Sequence, residues 1–223
     1  MRYRHILWDF DGTLFDTYPP MARAFAEALR ACSLEADWRE VMGWMKLSME
    51  TAKAHYRETL ALPDAFFAHY KALRVQEEAR DAHPFAGAPA LLRALAADGA
   101  RHYLVTHRSR ETAHALLARS DLLPLFADGV TSEDGFARKP DPAGVNHLLS
   151  KHGIAPREAI MVGDRDLDVQ AGQRAGITTC FFDPDSAARH RLADYTLHAL
   201  CDWARVCEEA PTQHNELGEN DHA

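Results

Sequence analysis

Arg4-His5-Ile6-Leu7-Trp8-Asp9-Phe10-Asp11-Gly12-Thr13 is the stretch on which the fold of this chain turns. An apolar-rich run over residues 4–8 breaks off into acids and a glycine, which predicts a buried strand with Asp9 and Asp11 at its carboxyl end. Two positions apart on extended backbone, these carboxylates point the same way and repel unless a cation lies between them. Working outward, strand patterns recur at 102–106, 129–131, 159–163 and 178–182, alternating with helical patterns at 88–97, 109–119, 142–152 and 167–175. Gly99, Gly153 and Gly176 fall at or just after the ends of three of these helical runs, the expected helix stops. The alternation predicts an α/β fold: a Rossmann-like parallel-sheet core with helices on both faces, binding ligands at the strands' carboxyl ends.

Residues 17–83 interrupt this alternation with helical pattern alone, among it MARAFAEALRAC and WREVMGWMKLSMETAKAHYRETL. Entering within a few residues of the acids, the insert predicts an α-helical cap domain (17–83) over the strand ends. The core domain then comprises 1–16 and 84–209. Residues 210–223, polar and aperiodic, are expected to be disordered.

The 223 residues carry 25 basic against 33 acidic side chains, a formal charge of −8, so the large basic field of a nucleic-acid or anionic-membrane binder is missing. No apolar run approaches the roughly 20 residues that span a bilayer. Cysteines 32, 180, 201 and 207 form no C-x-x-C pair, which fits a reducing compartment, and a cytoplasmic location is expected. The 13 histidines are scattered without metal-binding spacing and are expected to be solvated or packed.

A second apolar run ends in acids at Met161-Val162-Gly163-Asp164-Arg165-Asp166-Leu167-Asp168, which places Asp164 at a strand end and Asp168 one helical turn later. Carboxylates converging from two strand ends suit a hard divalent cation such as Mg²⁺. Between the acidic elements come Thr106, closing a strand, and Lys139 in Arg138-Lys139-Pro140. A hydroxyl and an ammonium are the donors a phosphoryl group needs.

Asp9-Phe10-Asp11-Gly12-Thr13, Thr106, Lys139 and Gly163-Asp164-x-x-x-Asp168 resemble, in order, all four motifs of the haloacid dehalogenase-like hydrolases. The resemblance covers about residues 4–185, and the insert after the first motif resembles the helical-cap subclass of phosphoglycolate phosphatases and β-phosphoglucomutase. It implies that Asp9 is the nucleophile, giving an aspartyl-phosphate, and that Asp11 is the general acid and base. It also implies Mg²⁺ on the Asp9 carboxylate, the Asp11 main-chain carbonyl and Asp164, with Asp168 on the metal directly or through water or Lys139. Thr106 and Lys139 would hold the phosphoryl group. Four carboxylates, one lysine, a divalent cation and a phosphate dianion leave the site negative, which predicts a raised pKa for Asp11. Dehalogenases of the family lack an acid at the position of Asp11, so its presence implies phosphoester chemistry.

The expected activity is a Mg²⁺-dependent phosphatase acting on a small phosphorylated metabolite, phosphoglycolate-like or a sugar phosphate. The alternatives are a phosphosugar mutase of the β-phosphoglucomutase kind and a non-catalytic binding protein that keeps the fold. Neither nucleic acid nor membrane is an expected partner, and monomer and dimer both suit this size. Lys46, in the middle of the insert, could meet an anionic substituent of the substrate or be a solvated helix lysine. His107 and Arg108, directly after Thr106, could border the entrance and touch substrate or be structural.

Overall fold

Ile6 and Trp8 of β1 (His5–Trp8) lie in one apolar cluster and Leu7 in another, so this four-residue strand is buried on both faces. That is the signature of a strand in the middle of a parallel sheet covered by helices on each side. The structure is a computed structural model, and it describes residues 2–60, 62, 64–186 and 192–208. The expected tail, 210–223, lies outside the described residues.

The sheet has six strands. Besides β1 they are β4 (Arg101–Val105), β5 (Phe126–Val130), β6 (Ala159–Gly163), β7 (Thr178–Phe182) and β8 (Tyr195–Leu197), in the spatial order β5-β4-β1-β6-β7-β8 with every pairing parallel. One face buries Trp8, Leu104 and Val162 against α5 (Ala88–Ala97), α6 (Arg110–Arg119) and the C-terminal turns that carry Trp203 and Val206. The other buries Leu7, Tyr103 and Met161 against α7 (Ala143–His152) and α8 (Asp166–Arg174). The Rossmann-like parallel-sheet core is thus as the sequence predicts. The edge strand β8 was not anticipated, because three residues bounded by polar ones leave too little pattern to read.

Between β1 and α5 the chain leaves the core through β2 (Phe15–Asp16) and returns through β3 (His83–Pro84). The two pair antiparallel, Phe15 opposite Pro84 and Asp16 opposite His83, so both crossings run side by side. Beyond them stand α1 (Tyr18–Ala31), α2 (Trp38–Leu47), α3 (Met49–Leu60) and α4 (Asp64–Asp81), around an apolar cluster of their own in which Phe25 meets Tyr56, Phe66 and Tyr70. Pro19 and Pro20 occupy the first turn of α1, where a missing N–H costs no intrahelical bond. The run read as one helical pattern from Trp38 to Leu60 is broken at Ser48, whose extended backbone ends α2 while its hydroxyl accepts the Thr51 N–H of α3 at 2.9 Å.

Among the described residues no helix is long and apolar enough to cross a membrane, and all four cysteines are free thiols.

The sheet encloses one polar relay. The Trp8 indole N–H donates to His102 Nδ1 at 3.1 Å, so the ring's proton sits on Nε2, which donates to the Leu92 carbonyl at 2.9 Å. Burial pushes the His102 pKa below 6.5. A depressed pKa contributes stability that is complete above the ordinary value of 6.5 and is lost as pH falls from there toward the folded-state value. His102→Leu, which orphans two buried groups, should cost about 2 kcal/mol at pH 8 in urea unfolding and should weaken the wild type's loss of stability below pH ~6.5. An unchanged midpoint at pH 8 would contradict the relay.

Candidate active site

Three neighbouring strands, β4, β1 and β6, end in Thr106, Asp9 and Asp164, and the sheet brings these residues together from three distant parts of the chain. The Asp9 N–H continues the ladder to the Val162 carbonyl at 2.9 Å, and the Thr106 N–H continues it to Val130 at 2.9 Å. Asp168 enters from the first turn of α8, where its carboxylate accepts the Arg165 N–H at 3.1 Å. Gly163 makes that approach possible, because a Cβ there would lie 2.2 Å from the Asp168 Cβ. Gly12, at φ +80°, turns the chain back under the site, and a Cβ on it would lie 2.3 Å from both Asp164 Oδ2 and the Tyr18 ring.

Asp9 is almost wholly buried. Lys139, from the loop between β5 and α7, sets its ammonium 2.6 Å from Asp9 Oδ1, 2.5 Å from Asp168 Oδ1 and 2.8 Å from the Val105 carbonyl. Arg165 reaches Asp9 Oδ2 at 3.3 Å. Burial alone would raise the Asp9 pKa, but the two cations outweigh it and hold the carboxylate below its usual range. Asp164 differs: burial, reinforced by the charges of Asp9 and Asp168, pushes it up to about 8 against the pull of Arg165. Its oxygens accept the Thr13 hydroxyl at 3.1 Å and the Tyr18 hydroxyl at 2.9 Å. Burial and Asp9 also raise Asp168.

Asp9, Asp164 and Asp168 each offer an oxygen within 4.8 Å of the others. Such a set of hard donors, anchored on two strand ends and a helix, fits a divalent cation that takes carboxylate oxygens.

Asp11 departs from expectation. A raised pKa was predicted from the crowded negative charge, whereas burial, which would raise it, is overcome by Arg108 and the group is lowered to about 2. The Arg108 side chain is fully buried, with Nε 3.1 and 3.3 Å from the two Asp11 oxygens and a terminal nitrogen also paired to Asp11. Its guanidinium also binds Glu78 of α4 at 2.6 and 2.9 Å and lies 5.1 Å from the centre of the Phe10 ring. The Thr17 hydroxyl donates to Asp11 at 2.6 Å. The charge balance drawn from sequence omitted Arg108 and Arg165, and also Glu78, which shares Arg108 with Asp11.

Thr106 is buried and its hydroxyl accepts the Arg108 N–H at 3.1 Å. His107 Nε2 accepts the Lys139 N–H at 2.9 Å, and burial together with Lys139 and Arg138 lowers its pKa to about 3, so the ring is neutral. Lys46, in the last turn of α2, pairs with Asp185 on the loop after β7. It borders a cavity of about 700 Å³ that also reaches Asp164 and Arg165. A second cavity, of about 540 Å³, opens between the insert helices and the strand ends and reaches Asp11, His107, Arg108 and Lys139. Lys53, Lys71, Arg74 and Arg138 line it as well, against two acids, Asp11 and Glu50.

Thr13, Thr17, Tyr18, Glu78 and Arg165 touch the site's carboxylates or the arginine that holds one, and of these sequence reading marked only Thr13, as the last residue of the first motif. Arg165 had a signal, a cation directly after the acid that ends a strand. Glu78 had none, since it lies 67 positions from Asp11 on the last insert helix.

Residues 6–182 match the family model described as haloacid dehalogenase-like hydrolase. A phosphoglycolate phosphatase from Yersinia pseudotuberculosis serotype I (strain IP32953) is 31% identical over 183 residues, 78% of this chain and 78% of its own. The crystal structure of a hydrolase from Streptococcus pneumoniae TIGR4 has 32% identity and a TM-score of 0.62 over 80% of this chain and 92% of that one. A hydrolase from Deinococcus radiodurans R1, crystallised with bound phosphate and sodium, shares the fold at 20% identity with a TM-score of 0.76, over 93% of this chain and 96% of that one. Match and coverage together establish that this chain belongs to the haloacid dehalogenase-like hydrolase family.

Proposed function

We propose that this protein is a phosphoric monoester hydrolase, a Mg²⁺-dependent phosphatase working through an aspartyl-phosphate on a small phosphorylated metabolite that carries a second anionic group. The observation that carries the reading is Asp9 at the end of the central strand, deprotonated, beside the Lys139 ammonium at 2.6 Å and within the three-carboxylate cluster. In the first step an Asp9 oxygen forms a bond to phosphorus as the ester P–O bond breaks, and the leaving oxygen takes a proton from Asp11. In the second, water attacks the phosphorus, Asp11 takes its proton, and Asp9 is freed with release of inorganic phosphate. The ionised Asp11 described above is in the form the second step needs. For the first step it must gain a proton, which requires its pairing with Arg108 to loosen.

Asp9, Asp164 and the Asp11 main-chain carbonyl would hold Mg²⁺, with Asp168 beside them. When bound, the cation neutralises charge on the phosphoryl oxygens and on the acids around them. Thr106 and the Lys139 charge orient the phosphoryl group, and His107 holds the Lys139 backbone by its neutral nitrogen. Helices α1–α4 act as a cap domain that encloses the substrate. The second anionic group is suggested by two cations of the cavity, Lys71 and Arg138, since Lys53 pairs with Glu50 at 2.9 Å and Arg74 with Glu78 at 3.3 Å. A carboxylate or another phosphate satisfies this chemistry.

Four measurements test the reading. Asp9→Asn should cut p-nitrophenyl phosphate hydrolysis by about 10³-fold or more with an unchanged circular dichroism spectrum, and wild-type turnover in that variant would refute the nucleophile. Lys71→Gln combined with Arg138→Gln should raise KM roughly tenfold for phosphoesters carrying a carboxylate or second phosphate while leaving p-nitrophenyl phosphate nearly unaffected. In a metabolite panel, an isomerised sugar phosphate without phosphate release would assign the mutase instead, and metal binding without any turnover would assign a binding protein. Because Asp164, with its pKa at about 8, must shed its proton to hold a metal, calorimetric Mg²⁺ affinity should rise as pH increases from 6 toward 8 and level off above it.

A further inference from the structure

Arg165 is the cation of the site that the catalytic scheme leaves without work. It follows Asp164 directly and caps α8, and its side chain, 12% exposed, lies over the carboxylate cluster. It stands 3.3 Å from Asp9, 3.8 Å from Asp168 and 3.9 Å from Asp164, so one guanidinium spans all three carboxylates that could bind a metal. Its contacts are looser than those of Lys139, which closes to 2.6 and 2.5 Å on Asp9 and Asp168. The buried Arg165 Nε has no hydrogen-bond partner among the described residues. An arginine kept for a fixed ion pair engages a carboxylate with two parallel N–H bonds, and this one makes no such pair. Both large cavities also border Arg165, which leaves open space on two sides into which the side chain can swing.

We infer that Arg165 is a built-in counter-cation for the metal cluster, occupying the carboxylates of Asp9, Asp164 and Asp168 in the metal-free protein and displaced from them when a divalent ion binds. The inference rests on reading these carboxylates as the metal site. Its physical basis is that the buried acidic cluster around Asp9 needs positive charge in either state, and a guanidinium and a divalent ion cannot both lie within it without strong repulsion. The consequence is that Arg165 stabilises the metal-free fold and weakens metal affinity.

The test is Mg²⁺ titration by calorimetry, without substrate, on the full chain stripped with chelator. Arg165→Met should bind Mg²⁺ about tenfold more tightly or better than wild type, because a competing charge at about 4 Å has gone. In chelator the same variant should melt below wild type, and saturating Mg²⁺ should raise its Tm more than the wild type's. Arg165→Lys, a shorter cation, should keep metal affinity within a few-fold of wild type. In an Asp164→Asn background, Arg165→Met should no longer tighten binding, which ties the effect to this cluster. Equal or weaker Mg²⁺ affinity in Arg165→Met would overturn the inference, as would tightening that survives Asp164→Asn. Should Arg165→Met not fold, the wild type still decides: the Arg165 Nε–H signal in ¹⁵N-arginine NMR, identified by its loss in Arg165→Lys, must move when Mg²⁺ is added, and a signal that stays fixed overturns the inference. These outcomes are independent of the Asp9→Asn phosphatase assay, so either reading can fail while the other stands.

Discussion

The constraint on which the rest of the structure depends is the crowding of carboxylates at the end of β1. Asp9, Asp164 and Asp168 lie within one coordination sphere of each other, all buried or nearly so. Such a group is costly to desolvate unless positive charge enters with it. Much around it serves that need. Lys139 spends its donors on Asp9, on Asp168 and on the backbone of β4, and His107 holds the loop that delivers the lysine. Gly12 and Gly163 are small where the acids must come close.

A second centre, Asp11, is managed separately. It shares Arg108 with Glu78 and receives the Thr17 hydroxyl, so its surroundings come from both the sheet and the insert. The two aspartates stand two residues apart, yet Asp9 is compensated by core residues alone, whereas Asp11 is compensated by a core arginine whose other partner belongs to α4. The environment, more than the residue type, sets the two carboxylates apart.

Much of this was legible in the sequence, for a definite reason. Strand runs that end in acids are local patterns, and a parallel sheet converts them into neighbours, so Asp9, Thr106 and Asp164 could be placed from the order of elements alone. Lys139 is less obvious, since a lysine in a loop is ordinary until the loop's path is known. What could not be read was the direction of long side chains. Arg108, readable as either an entrance or a structural residue, proved fully buried, and Lys46, readable as a substrate contact or a solvated lysine, proved paired with Asp185. The pKa of Asp11 was misjudged for the same reason, because its sign depends on where one guanidinium points. Glu78, on the last helix of the insert, gave no local pattern at all.

The two-stranded ladder of Phe15–Asp16 and His83–Pro84 carries one more consequence. Both covalent links between the insert and the sheet pass through it side by side, so a rigid rocking of the helices has a single natural axis there. Thr17 and Tyr18 begin α1 immediately beyond that axis, and they are the residues that donate to Asp11 and Asp164. Glu78, on the return helix, lies five residues before the ladder. The carboxylates are therefore gripped next to the two covalent crossings, where any displacement of the insert as a body would move the gripping hydroxyls least.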